Sequence, residues 1–230
     1  MLDYASVLAE MRFFSTLMTV AVLLAAICLG LHAQSTPVNE ARGLPPRAMP
    51  GDYQAQAQAG AVTVAAEFQG HSVPTLQGTL STEDYVVVEA ALFGSPEARI
   101  KLSSDDFSLR INGRKTPLPS QPYGLVVRSV KDPEWAPPAP ATAKSKTSVG
   151  GGGRGEQGEA NAPPAPVQIP IEVQRAMAQR VQRASLPAGD RTLPQAGLLY
   201  FEYRGKTESI RSIELIYAGP AGKATLALQP

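Results

Sequence analysis

The sequence predicts an all-β protein, an antiparallel sandwich with one short helix and a long disordered insertion. Three features predict it. Short runs of β-branched and aromatic residues recur between clusters of Gly, Pro and Asn, and one cluster is an Asn-Gly pair suited to a hairpin. The single cysteine, Cys28, lies in an apolar N-terminal run, so the fold must close on apolar burial without a disulfide.

Residues 1–34 read as a signal peptide. Phe13 to Leu31 carries no charge, Met11-Arg12 precedes it and His32-Ala33-Gln34-Ser35 follows, in the order basic, apolar, small and polar. Ser15, Thr16, Thr19 and Gly30 dilute a run already short for a helix crossing about 30 Å of hydrocarbon. Cleavage near Ala33 or Gln34 is expected, with an uncleaved N-terminal anchor as the alternative; either leaves the rest periplasmic or extracellular. Asp3 and Glu10 are unusual ahead of a basic region, which makes Met11 an alternative start. Ile27 stands where a lipid-modified cysteine normally follows Gly or Ala, which argues against lipidation of Cys28.

Residues 35–60, rich in Pro, Ala and Gln, are expected to form a disordered leader. One domain should then span 61–230, interrupted at 132–168. Ala61 to Phe68 is the first strand, closed by Gly70-His71-Ser72. Asp84 to Gly94, DYVVVEAALFG, is the central strand, and Arg99 to Leu102 extends the sheet. Asn112-Gly113 supplies the positive φ angles of a type I′ hairpin. Tyr123 to Val130 is a further strand.

Lys131 to Gln168 holds few large apolar residues, Trp135 and Val149 among them, which predicts a flexible insertion, or, alternatively, a linker between two domains. Within Ile169 to Ser185, Ile171, Val173, Met177 and Val181 share a helical face, and Arg175, Arg180 and Arg183 belong to a solvated one. Strands resume at Gly197 to Gly205, Glu208 to Gly219 and Lys223 to Pro230. Ile210, Ile213, Leu215 and Tyr217 should point inward after a bulge near Arg211-Ser212, with Gly219-Pro220-Ala221-Gly222 as a hairpin turn.

Two stretches carry a resemblance. Leu102 to Leu109 with Asn112-Gly113-Arg114-Lys115, and Leu186-Pro187-Ala188-Gly189 followed by Gly197-Leu198-Leu199-Tyr200-Phe201, resemble small exported immunoglobulin-like domains of bacteria, many of unknown function. The resemblance covers about residues 61–230 apart from the insertion. It implies an immunoglobulin-like sandwich, a place outside the cytoplasm and a binding or accessory role. It transfers no catalytic residue.

Chemistry is sparse in the sequence. With Cys28 and His32 at or before the cleavage point, only His71 remains, so no Cys/His zinc site or Cys-His pair can be assembled. No G-x-S-x-G elbow accompanies His71, and Gly70-His71-Ser72 reads as a turn. Glu83-Asp84 and Asp105-Asp106 lack the spacing of a calcium loop. Gly150 to Gly153 lacks the Lys-Ser/Thr of a phosphate loop. Trp135 could anchor a partner or cap the sandwich. Tyr200, Phe201 and Tyr203 could line a binding face, although alternation puts Tyr200 and Phe201 on opposite faces. No catalytic, cofactor-binding or metal-ligating residue is assigned.

The charge balance, 21 Lys and Arg against 20 Asp and Glu, is far from that of a nucleic-acid binder. Loss of Asp3, Glu10 and Arg12 with the signal leaves 20 against 18. The expectation is an exported, non-enzymatic module that binds or scaffolds an unknown protein or other component of the cell envelope, without a cofactor. One alternative is a secreted carboxylate- or metal-dependent hydrolase drawing Asp105, Asp190 and Glu202 into one pocket. The other is an envelope protein held by an uncleaved anchor, with the insertion as a tether.

Overall fold

The structure, a computed structural model, describes residues 41–136 and 169–230. The expected signal, the leader up to residue 40 and residues 137–168 of the insertion lie outside the described residues. The protein is mostly antiparallel β-sheet with few helices.

The valine-rich run forms strand β5 (Tyr85–Phe93), which pairs with β11 (Gln195–Glu202) from Tyr85–Glu202 through Leu92–Gln195. On its other edge β5 meets β2 (Val62–Gly70), and β1 (Ala55–Ala59) joins β2 through the tight turn at Gly60-Ala61. Beyond β11 lies β8 (Leu118–Gln121), followed by β7 (Phe107–Ile111), β12 (Ile213–Gly219) and β13 (Gly222–Leu228). The order is β1-β2-β5-β11-β8-β7-β12-β13. β8 is a narrow join: it pairs with β11 only at Tyr200–Gln121 and Phe201–Ser120, and with β7 only at Ser108–Pro119 and Leu109–Leu118. Pro117, Pro119 and Pro122 have no N–H to offer a ladder, which accounts for its shortness. At the far end β13 packs along β1, and Gln54 Nε2 donates to the Gln229 carbonyl at 3.0 Å.

Two smaller sheets complete the fold. β6 (Arg99–Leu102) pairs with β10 (Gly189–Thr192), and β3 (Ser72–Thr75), β4 (Gly78–Thr82) and β9 (Val130–Lys131) form a three-stranded sheet. The α-helices among the described residues are α1 (Tyr123–Val126) and α2 (Ile171–Ala184).

Alternation along β5 and β11 divides their side chains between two cores. Val86, Val88, Ala90, Leu92, Leu199 and Phe201 face Phe107, Leu109, Leu215, Tyr217 and Leu226 of the other half of the sheet. Val87, Leu198 and Tyr200 face a second core made by Val73, Leu80, Val126, Val130 and the Met177, Val181 and Ala184 stripe of α2. Further along that outer face, Tyr53 covers Ala65, Ala91 and Ala196. Ser185 Oγ donates to the Val181 carbonyl at 2.8 Å and lies 3.2 Å from the Tyr200 hydroxyl, closing the end of α2. Burial pushes the Tyr200 phenol far up.

Several expectations are corrected. The polar run before residue 60 is partly strand β1, because Gln54, Gln56 and Gln58 are exposed while Ala55, Ala57 and Ala59 turn inward. The small side chains suit the close approach of β13: a Cβ on Gly60 would stand 2.3 Å from the Ala221 carbonyl oxygen. Tyr123 to Val130 is not one strand. Pro122 opens α1, Val126 drops into the second core, and only Val130–Lys131 is extended. Asn112 and Gly113 do take positive φ angles of 52° and 65°, with Arg114 N–H on the Ile111 carbonyl. The β7–β8 connection is nonetheless longer than a two-residue hairpin, since the ladder resumes only at Leu118. Ile171 is exposed, Ala184 taking its place on the buried face of α2. Arg180 is not solvated: it bonds to Asp132 at 2.7 Å, to Thr75 Oγ1 at 3.4 Å and to the Gln77 carbonyl at 3.2 Å. Arg211-Ser212 precedes β12 rather than bulging within it.

Two substitutions test this packing. A Cβ on Gly197 would meet Leu186 Cα at 2.5 Å, so Gly197→Ala should cost about 1–3 kcal/mol in urea unfolding. Ser120 Oγ is buried with no hydrogen-bond partner among the described residues, so Ser120→Ala should raise stability by up to about 1 kcal/mol in the same assay.

Candidate functional site

Where the short β8 ladder ends, the chain beyond β11 diverges from it and a groove of about 520 Å³ opens. Arg114, Leu118, Pro119 and Gln121 line one side, and Glu202 to Gly205 the other. The second wall is braced from behind. His71, at the Gly70 turn that ends β2, places Nδ1 2.7 Å from the Tyr85 carbonyl and Nε2 2.9 Å from the Gly205 carbonyl, and its ring stacks on Tyr203 at 6.5 Å. The Tyr203 hydroxyl lies 2.7 Å from Ser209 Oγ, and Tyr203 N–H donates to the Asp84 carbonyl at 2.8 Å.

Asn112 secures the next stretch. Its Nδ2 donates to the Ser209 carbonyl at 3.0 Å, while its Oδ1 accepts from Arg211 N–H at 2.6 Å and Ser212 N–H at 3.3 Å. The left-handed turn thus aims a side chain that ties the β7 end to the loop before β12. Both His71 ring nitrogens face main-chain carbonyls, one of them as the N–H donor of the neutral ring.

Of the acids singled out from sequence, Glu83, Asp84, Asp190 and Glu202 are spread over three cations, with Asp84 and Glu202 sharing Arg204. Glu83 pairs with Lys131 at 2.7 Å, Asp84 with Arg204 at 3.2 Å and Asp190 with Arg99 at 2.9 Å, while Glu202 stands 3.9 Å from Arg204. Lys131 holds the Glu83 carboxyl below its usual range. Asp105 and Asp106 lie in a 3₁₀ turn capped by Ser103, where burial raises Asp106. Among the described residues no three His, Cys, Asp or Glu side chains are grouped to hold a metal. Trp135 is half-buried, its N–H on the Asp132 carbonyl at 3.2 Å, and Tyr200 and Phe201 are both buried.

Glu67 and Glu89 are a site the sequence did not disclose. They are direct partners on β2 and β5, on the outer face between the α2 cover and the Tyr53 cover. Arg47 Nη2 reaches both carboxylates, Glu89 at 3.3 Å, and its guanidinium lies 4.4 Å over the Tyr53 ring. Glu89 is only 8% exposed; burial and the Glu67 charge raise its pKa, against the pull of Arg47. Burial opposes the Arg47 charge too, but Glu89 and Glu67 outweigh it and hold that pKa above its ordinary value. The available signal was a single acid inside each of two apolar runs, AVTVAAEF and VVVEAALF.

Comparison with protein-family models, curated proteins and solved structures found no match.

Two measurements probe these clusters. Asn112→Gly keeps the turn but removes the acceptor for Arg211 and Ser212, and should cost about 1–3 kcal/mol; Asn112→Ala adds backbone strain and should cost about 1 kcal/mol more. Because the folded-state pKa of Glu89 is raised, its stabilising contribution is full below the unfolded carboxylate pKa and is lost as pH rises through the folded value. The stability of wild type relative to Glu89→Gln should therefore decline as pH climbs from about 4, read from urea midpoints across pH.

Proposed function

We propose that this chain is an exported, non-enzymatic β-sandwich module of immunoglobulin-like cast that binds or scaffolds a component of the cell envelope through the groove between β8 and the Glu202–Gly205 loop. The observation that carries the binding reading is that groove, with one wall braced by His71 and Asn112 and the other shortened by prolines. Arg114 is exposed and has no side-chain partner among the described residues. Arg204 is 73% exposed despite its contacts with Asp84 and Glu202. Leu118, Pro119 and Tyr203 add apolar surface between the two cations. An extended segment that carries a carboxylate among apolar side chains fits this mixture.

The sandwich reading is supported by the two halves of the sheet enclosing one apolar core, with β8 as their narrow join. Export is supported by the order of charge and hydropathy around Phe13 to Leu31. The non-enzymatic reading is supported by the placement of both His71 ring nitrogens against main-chain carbonyls and by the pairing of Glu83, Asp84 and Asp190 with three different cations.

The test is a pull-down from an envelope extract of the source cells, using residues 35–230 as bait beside an Arg114→Glu/Tyr203→Ala variant and a Trp135→Ala variant. A partner kept by Trp135→Ala and lost from the groove variant is expected; a partner indifferent to the groove substitutions sinks this assignment. N-terminal sequencing of the protein recovered outside the cytoplasm should begin after Ala33 or Gln34, whereas an intact N-terminus in membranes would replace cleavage with anchoring.

A further inference from the structure

The segment before β1 lies over the outer face of the central strands. Leu44 N–H donates to the Ala196 carbonyl at 2.9 Å, Arg47 N–H donates to the Tyr53 hydroxyl at 3.2 Å, and Arg47 Nη1 donates to the Asp52 carbonyl at 2.5 Å. We propose that Glu67, Glu89 and Tyr53 form a guanidinium-binding site, filled in cis by Arg47, which accepts the arginine side chain of an extended protein segment when the Leu44–Met49 stretch withdraws. The site uses residues outside the β8 groove and stands independently of its assignment.

Two like charges directly opposed on neighbouring strands are unfavourable unless a cation lies between them, and here a cation does. The two carboxylates are held by strands outside the stretch that carries Arg47, whereas the Tyr53 hydroxyl accepts from Arg47 N–H within it. Glu67 and Glu89 belong to β2 and β5, while Tyr53 is packed on Ala65, Ala91 and Ala196 and meets the Phe93 ring edge-on at 6.1 Å. Arg47, by contrast, sits in a stretch of little regular structure, and its side chain is 33% exposed, so solvent reaches the occupied site. An aromatic face with two carboxylates selects a planar, stackable cation over an ammonium point charge.

The experiment uses the full chain with Arg47→Ala, titrated with N-acetyl-arginine amide and, in parallel, N-acetyl-lysine amide. At about ten times its Kd the arginine compound should raise the Tm of Arg47→Ala by about 3–5 °C, with a markedly smaller shift from the lysine compound. Wild type, whose site is filled, and Arg47→Ala/Glu89→Gln, whose site is broken, should not respond. Equal shifts in all three proteins, equal shifts from both compounds, or no shift in Arg47→Ala overturn the proposal. Should Arg47→Ala fail to fold, Arg47→Lys retains a cation on the segment and should show the same preference for the arginine compound; indifference there overturns it equally.

Discussion

The antiparallel pairing of β5 with β11 is the constraint on which the rest depends. Both strands are buried on both faces, so each must be covered twice. The inner cover is the other half of the sheet, and the outer one is divided between α2 with the β3-β4-β9 sheet and the segment carrying Tyr53. Each large apolar side chain so buried contributes about 1.5–3 kcal/mol, while a domain retains only about 5–15 kcal/mol of net stability. Losing either cover would therefore remove a large part of what keeps the pair folded.

Polar groups then decide how those covers are positioned. Arg180 ties α2 to the β3–β4 turn and to Asp132, with both partners of the ion pair less than one-fifth exposed. His71 and Asn112 do the same for the loop that leaves β11. Each is a side chain satisfied from several directions, and each joins stretches far apart in sequence, so the geometry of the groove depends on contacts that form only when the sheets are assembled.

That dependence separates what was legible from what was not. The valine run of β5, the Gly219–Gly222 turn and the Met177–Val181 stripe are local patterns, and each stands where its periodicity put it. β1 was hidden because its inward side chains are alanines, whose alternation with Gln reads as polar low complexity until β13 is seen against them. Val126 follows a proline into a helix because the second core needs it, a tertiary preference that overrides β propensity. The groove and the Glu67–Glu89 pair depend on register and on where ladders stop. Neither is written in the spacing of residues along the chain.

The meeting of β1 with β13 has a further meaning. The end strands of an open sheet display unpaired amides and carbonyls on which another chain can template itself, the route by which β-proteins swap strands or aggregate. Here the two ends of the eight-stranded sheet lie against one another, with Gly60 and Gly222 at the seam. Each edge is thereby less open to strand addition by another chain, a protection the fold obtains from the meeting of its first and last strands.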